Sequence, residues 1–338
     1  MAPFITVIVP VRNEATCIEN TLRRLSEQIY DPVRFEIIVA DGRSTDDTVA
    51  IVRRLQRELT NVKLFHNAKR LSSAARNLGV RQGRGDYFVI VDGHCEISDR
   101  NYLQKMVASF ERSGADCLGR PQPLEIGDAT LMQEAIALAR RSWLGHNPSS
   151  HIYSDQEQFV AASSVAVAYR REVFEKLGHF DEQFDACEDV EFNTRIDRAG
   201  LKCYFTPEIA VHYHPRSSIP GLICQMSRYG RGRIRLARKH PHSLTLPALV
   251  PMVFAIWCLL SGVLGIWSPV FAALFCLGLL VYAAVVTVTS LGLVKSKNNP
   301  IAVCLTPLVY VAVHVGFAWG TLREMMRLPF HMRERRTT

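Results

Sequence analysis

An α/β fold with a mostly parallel central sheet, followed by a C-terminal helical membrane region, is predicted by three features of the sequence. Short apolar runs without polar alternation recur through the first part of the chain. Amphipathic helical patterns separate them. Beyond Thr245 charge disappears, with no charged residue from Thr245 to Val294 and none from Ile301 to Leu322.

The apolar runs are "ITVIVPV", "FEIIVA", "VKLFH" and "YFVIV", and the helical stretches between them are Thr16–Glu27, Thr45–Glu58 and Ser72–Gln82. Strands that lack polar alternation and are spaced by helices belong to a parallel sheet covered on both faces. Ligands of such sheets sit beyond the carboxyl ends of the strands. There the first run leads to Arg12-Asn13-Glu14, the second to Asp41-Gly42 and the fourth to Asp92-Gly93-His94. Each alone is an ordinary turn signal, and Ser44 or Asp46 suits the cap of the next helix. Together they place several polar groups on one rim.

A bilayer crossing needs about 18–20 apolar residues. Leu246–Trp267, Val270–Val294 and Ile301–Leu322 each qualify, so three transmembrane helices are expected, separated by Ser268-Pro269 and "KSKNNP". No signal-peptide pattern opens the chain, and the first domain is expected to stay in the cytoplasm. The net charge of +8 has its densest source just before the first apolar run, where Arg228, Arg231, Arg233, Arg235, Arg238 and Lys239 occur with no acidic residue among them. Beside a membrane helix such a cluster meets anionic lipid rather than nucleic acid. Three crossings from the inside would carry the basic tail "REMMRLPFHMRERR" outside, against the positive-inside rule, unless one segment is re-entrant. The nine cysteines show no C-x-x-C, which argues against a zinc site and for free thiols in a reducing compartment. The expected organisation is a catalytic domain over 1–215, a basic juxtamembrane segment over 216–243, membrane helices over 244–322 and a basic tail over 323–338.

The segments "VIVPVRNEATCIENTLRRL", "IIVADGRSTDDT", "SSAARNLGVRQGRGDYFVIVDGH", "YRREVFEKLGHFDEQF" and "CEDVEFNTRIDRAG" stand in the order found in family 2 glycosyltransferases. The chain resembles that family over roughly residues 4–215. Within it, the chain is similar to bacterial membrane-attached glucosyltransferases of succinoglycan-type exopolysaccharide assembly. The resemblance implies a GT-A fold, a nucleotide-sugar donor, a divalent metal, inversion at the anomeric carbon and attachment to the bacterial inner membrane with the catalytic domain in the cytoplasm. By the same resemblance Asp41 reads the nucleotide base beside the loop of Pro10, Arg12 and Glu14, and Arg76 lies near the base or the diphosphate. Asp92 contacts the ribose and metal side, and His94 stands where the family's D-x-D motif has its second acid. A D-x-H pair favours Mn²⁺ over Mg²⁺, because Mg²⁺ prefers oxygen ligands. His214 of "VHYHP" is a third candidate ligand, with a structural pairing of His212 and His214 as the other reading.

Inverting displacement needs a carboxylate to take the acceptor's proton. "CEDVEFNTRI" offers Glu188, Asp189 and Glu191, which also suit the first turn of a helix electrostatically. Phe192, Ile196 and Ala199 form an inward stripe that Asp189 extends, so Asp189 is expected to point most nearly inward and to act as base. Glu188 and Glu191 are expected to orient the acceptor or the loop. "QMSRYGRG" partly resembles the Q-x-x-R-W of processive synthases, placing Gln225, Arg228 and Tyr229 on the acceptor side. About Ile219–Lys239, an amphipathic segment on the cytoplasmic leaflet would bring the site to a lipid-borne acceptor. The expected activity is transfer of one sugar from a UDP-sugar, UDP-glucose favoured, to a polyprenyl-diphosphate-linked acceptor, in company with other glycan-assembly proteins. A processive β-glycan synthase is the alternative. A non-catalytic nucleotide-binding scaffold is the second, against which stand Asp41, Asp92 and Asp189.

Overall fold

The computed structural model describes residues 2–124, 127–146, 150–294 and 299–327. The chain forms two compact units, Met1–Ala129 with Pro148–Pro215, and Thr130–Asn147 with Arg216–Thr338. The expected linker residues 295–298, and the basic tail after residue 327, lie outside the described residues.

In the first unit β1 (Ile5–Val11), α1 (Ile18–Ser26), β2 (Phe35–Asp41), α2 (Thr48–Glu58), β3 (Val62–His66), α3 (Ser72–Gln82) and β4 (Tyr87–Ile90) follow the predicted alternation. β1 pairs in parallel with β2 and β4, and β2 with β3. Seven of seven β2 residues are buried, as a strand covered on both faces requires. Successive side chains alternate faces. Val7 and Val9 therefore join Leu22 and Leu55 in one core, while Ile8 joins Phe88 and Val80 in another.

The second half of the sheet is mixed. After β5 (Cys95–Glu96) and α4 (Tyr102–Ser113), the chain adds β6 (Cys117–Gly119). α5 (Leu131–Arg141) then belongs to the second unit. The sheet resumes with β7 (Gln158–Val160) and β8 (Ala166–Arg170), and is completed by α6 (Arg171–Leu177), α7 (Glu188–Arg198) and β9 (Cys203–Phe205). Its strand order is β3-β2-β1-β4-β8-β6-β9-β7, with β8 antiparallel to both neighbours. Phe174 of α6 and Phe192 of α7 stack at 5.1 Å over this half. A separate ribbon pairs β5 with β10 (His212–Tyr213).

One buried charge ties the sheet's first strands together. Glu36 is 1% exposed, and it accepts from Thr6 Oγ1 at 2.9 Å, Lys63 Nζ at 2.7 Å and Arg84 N at 2.7 Å. Burial works against its ionisation, but these bonds outweigh it and hold its pKa below the ordinary carboxylate value. A lowered folded pKa gives stability that is full above the unfolded value and is lost as pH falls through the folded one. We expect the gap in Tm between the wild type and Glu36→Gln to be widest at neutral pH and to close on acidification. A gap independent of pH would remove the assignment.

The second unit is helical. Thr130 caps α5, accepting from Gln133 N at 3.3 Å while its own N–H donates to Gln133 Oε1 at 3.0 Å. α8 (Ile219–Lys239), α9 (Leu246–Leu264), α10 (Pro269–Leu291) and α11 (Pro300–Met326) follow. The last three are long and apolar enough to cross a membrane. They differ in cover: protein buries 11% of the apolar window of α9 and 6% of that of α10, but 50% of that of α11. Leu222 and Met226 of α8, Ala135 and Ile136 of α5, and Tyr310 and Val313 of α11 share one core.

Candidate active site

The carboxyl ends of β1, β2 and β4 release three loops that interlock. Gly42 N donates to Val11 O at 2.8 Å, Asn13 N to Ser44 Oγ at 2.9 Å, and Thr45 N to Asn13 Oδ1 at 2.8 Å. Glu14 N donates to Thr48 Oγ1 at 2.8 Å, and Thr48 N to Asp46 Oδ1 at 3.1 Å, so Asp46 serves the start of α2. Asn13 and Arg43 hold left-handed backbone, with φ of 58° and 60°. Such conformations persist where surrounding structure enforces them. Asp41 is 4% exposed, its carboxylate facing Ser44 N at 3.2 Å. Pro10 is half-buried and Arg12 exposed beside it.

The β4 loop lies against the β1 loop because Gly93 has no side chain. A Cβ there would come within 2.7 Å of Val11 Cγ1. Thr21 Oγ1 of α1 lies within donating distance of Gly93 O at 3.0 Å and Cys95 O at 2.9 Å, anchoring the turn from below. His94 Nδ1 and Glu14 Oε1 share a hydrogen bond of 2.9 Å, and the His94 ring meets Tyr213 edge-on at 4.6 Å. The β5–β10 ribbon thus returns "VHYHP" to this rim. His214 Nε2 stands 4.0 Å from Glu96 Oε2. Burial first, and the neighbouring His94 and His212, push the His214 pKa down, overriding Glu96 and Glu14. It is therefore neutral at neutral pH, the form in which imidazole ligates. A carboxylate bonded to one ring nitrogen is also how proteins orient a ligating histidine. Among the described residues, however, no three His, Cys, Asp or Glu side chains are grouped to hold a metal ion. Asp92 and His94 fit a cation only as part of a ligand set completed by oxygens of a bound molecule.

Arg76 is the centre of the charges. It projects from α3, 8% exposed, with Nη2 3.4 Å from Glu188 Oε1 and its guanidinium 5.5 Å from the Phe180 ring centre. Asp189 and Asp92 act on the same guanidinium. Its Nε makes no hydrogen bond. An exposed place on an amphipathic helix is thus ruled out for Arg76. Burial pushes the Glu188 pKa up, and Arg76 offsets only part of this.

The inward direction expected for Asp189 is corrected. Glu188 is 6% and Glu191 0% exposed, whereas Asp189 is half-buried and accepts from Val190 N at 2.8 Å. Residues four apart on a helix are offset by about 40° and residues three apart by about 60°. Glu188 and Asp189 therefore fall on opposite sides of Phe192, with Asp189 the nearer to Ile196, and burial rather than spacing separates them. Glu191 is drawn into the fold by Arg195, whose Nη2 lies 3.0 Å away and whose Nη1 also donates to Leu177 O at 2.7 Å. A fully buried carboxylate so held does not present itself to an acceptor, which corrects the acceptor-side role expected for Glu191. Gln225, Arg228 and Tyr229 lie on α8 in the second unit, Gln225 Nε2 donating to Tyr229 Oη at 3.3 Å one turn on.

Sequence reasoning missed Arg120. It follows β6 at 3% exposure and donates through Nη2 to Ile90 O at 3.1 Å, two residues before Asp92, while Nε and Nη1 make no hydrogen bond. The segment "LGRPQP" carries no pattern that marks its arginine as buried.

Residues 6–178 match the family described as glycosyl transferase family 2, and residues 96–321 match glycosyl transferase family group 2. The chain is 31% identical over 333 residues to succinoglycan biosynthesis protein ExoA of Rhizobium meliloti, covering 95% of this chain and 96% of that one. It is 24% identical to a dolichyl N-acetyl-alpha-D-glucosaminyl phosphate 3-beta-D-2,3-diacetamido-2,3-dideoxy-beta-D-glucuronosyltransferase of Methanococcus voltae, covering 96% and 98% of the two chains. Among solved structures, the mannosyltransferase PcManGT from Pyrobaculum calidifontis, in complex with GDP-Man and Mn²⁺, aligns with a TM-score of 0.60 at 20% identity, over 96% of this chain and 88% of that one. At that identity the likeness establishes the GT-A fold and no more.

Proposed function

The chain belongs to glycosyl transferase family 2, and from that premise we propose that it is an inverting, membrane-bound transferase adding one sugar from a UDP-sugar, UDP-glucose favoured, to a polyprenyl-diphosphate-linked acceptor in exopolysaccharide or cell-surface glycan assembly. The observation that carries the reading is the gathering of Asp92, Glu188 and Asp189 about the buried Arg76, at the rim where parallel strands end. Two relatives, a succinoglycan biosynthesis protein and a transferase acting on a dolichyl phosphate sugar, support the choice of a polyprenyl-linked acceptor.

In this reading Asp189, the half-buried member, takes the proton of the acceptor hydroxyl. The hydroxyl oxygen bonds to the anomeric carbon from the face opposite the diphosphate, the bond from that carbon to the diphosphate oxygen breaks, and UDP leaves. Glu188 is held by Arg76 and so fixes the first turn of α7 on which Asp189 sits. Asp41, with the Pro10–Glu14 loop beside it, takes the nucleoside, and Arg76 adds positive charge near the diphosphate. Asp92 and His94 would hold a divalent cation, Mn²⁺ favoured over Mg²⁺, that neutralises diphosphate charge when bound. His214 stands nearby as a third ligand. Gln225, Arg228 and Tyr229 serve the acceptor, and the catalytic unit faces the cytoplasm.

The test is UDP release from detergent-purified protein across a panel of UDP-sugars, with Mn²⁺, Mg²⁺ or chelator and a polyprenyl-lipid extract. Release from one sugar, dependent on Mn²⁺ and lost in His94→Ala, is expected. No release from any UDP-sugar would overturn the donor class, and equal turnover with Mg²⁺ would remove His94 as a ligand.

A further inference from the structure

α8 and α11 pack side by side in the same direction. The Cβ that Gly316 lacks would fall 2.8 Å from Ile223 O, that of Gly320 2.0 Å from Ser227 O, and that of Gly230 2.3 Å from Phe317 O. Gly316 and Gly320 are thus a small-xxx-small pair that lets two backbones touch. Farther along, Arg235 Nε donates to Glu324 Oε1 at 2.9 Å, and Arg238 Nη2 to Glu324 O at 2.7 Å and Arg327 O at 3.1 Å. Contacts therefore advance together along both helices, and Glu324, only 4% exposed, ties their C-terminal ends. The middle of α11 is held by the segment following α5. Ser142 Oγ and Tyr310 Oη share a hydrogen bond of 2.7 Å, and His314 Nε2 lies 3.1 Å from Leu144 O.

This arrangement conflicts with a third crossing by α11. α8 carries Arg228, Arg231, Arg233, Arg235, Arg238 and Lys239, and such a helix is not drawn across a hydrocarbon core. α5 has 11 residues, too few to span, and the chain at both of its ends runs into the first unit. An α11 that crossed would either take its parallel partner with it or leave Glu324 on the far side from Arg235.

We propose that α11 does not traverse the bilayer but lies paired with α8 in a single leaflet, so that only α9 and α10 enter in depth and the chain returns to the side it started from. α9 and α10 suit that part. They form an antiparallel hairpin in which Phe254 stacks on Tyr282 at 5.2 Å, and both are covered by little protein. The partner of α11 is lipid. Six of its exposed apolar residues, Ile301, Leu308, Val311, Val315, Trp319 and Met326, recur at helical spacing as one stripe, while Ala302, Val303, Val309, Tyr310, Ala312 and Val313 are turned to protein. Arg323 and Arg327 end that helix, and the following sequence is basic, as the cytoplasmic leaflet favours. Two crossings agree with the positive-inside rule where three do not.

The proposal is tested on the full-length chain in which Cys17, Cys224, Cys258, Cys276 and Cys304 are replaced by serine. Single cysteines are then introduced as Arg327→Cys and, to mark the α8 side, His242→Cys. A membrane-impermeant maleimide is applied to intact spheroplasts and to permeabilised ones. Labelling of Arg327→Cys is expected to rise at least tenfold on permeabilisation, in step with His242→Cys. Labelling of Arg327→Cys in intact spheroplasts, while His242→Cys stays protected, would overturn the proposal. If Arg327→Cys fails to accumulate, Arg323→Cys, at the other exposed basic position of that helix end, reports the same side.

Discussion

Asp189→Asn should lower kcat by about 10²–10⁴-fold, the range general-base catalysis supplies, while the donor Kd stays within about threefold. The substitution keeps the shape of the side chain and its bond to Val190 N, and removes the capacity to take a proton together with one of the negative charges acting on Arg76. Rapid quench of single turnovers, beside titration of UDP, separates the two quantities. Turnover above about a tenth of wild type would sink the assignment of the base. The neighbouring carboxylates should respond differently. Glu191→Gln weakens a buried ion pair with Arg195, so its effect falls on stability before it falls on chemistry.

Arg76→Met should cost stability and donor affinity together. It keeps much of the side-chain volume over the Phe180 ring but leaves Glu188 buried without its cation. Breaking one half of a buried pair costs about 3–5 kcal/mol. The loss should grow with pH. Removing Arg76 takes away what offsets burial at Glu188, so the folded pKa rises further above the unfolded one. Stability then falls as pH rises from the unfolded value through the folded value. Adding Glu188→Gln should recover most of the Tm at pH 8 without recovering turnover. An Arg76→Met protein as stable as wild type at pH 8, and binding UDP equally well, would show that the guanidinium does neither task.

The first half of the sheet was legible because β1, β2 and β4 are buried on both faces, which leaves a run no polar face to show. β6, β7 and β9 have three residues each, too few to carry a period, and their pairing depends on partners far along the chain. Asp92-Gly93-His94 was legible for a local reason, an acid and an imidazole at the end of an apolar run. Arg120 was not, since nothing near it in sequence distinguishes a buried arginine from an exposed one. At α7 periodicity found the right turn but not the burial of its members, for Glu188 and Glu191 are buried and Asp189 is half-buried. Spacing leaves Glu188 and Asp189 on either side of Phe192, and the two carboxylates that are buried are those paired by Arg76 on α3 and by Arg195 one turn on.

The membrane region divides the same way. Composition alone identifies three apolar helices and a basic helix before them, because hydropathy and length are properties of the residues themselves. Which helices meet lipid all round is a property of contacts. Gly316 and Gly320 read as small residues in an apolar run until α8 is seen lying on them, and Glu324 reads as the start of a charged tail until Arg235 closes on it. Local order, turn chemistry and hydrophobic pattern were written in the chain. The partner of each buried charge was chosen only by the tertiary structure, because such a charge must be paired by whatever group the fold brings within reach.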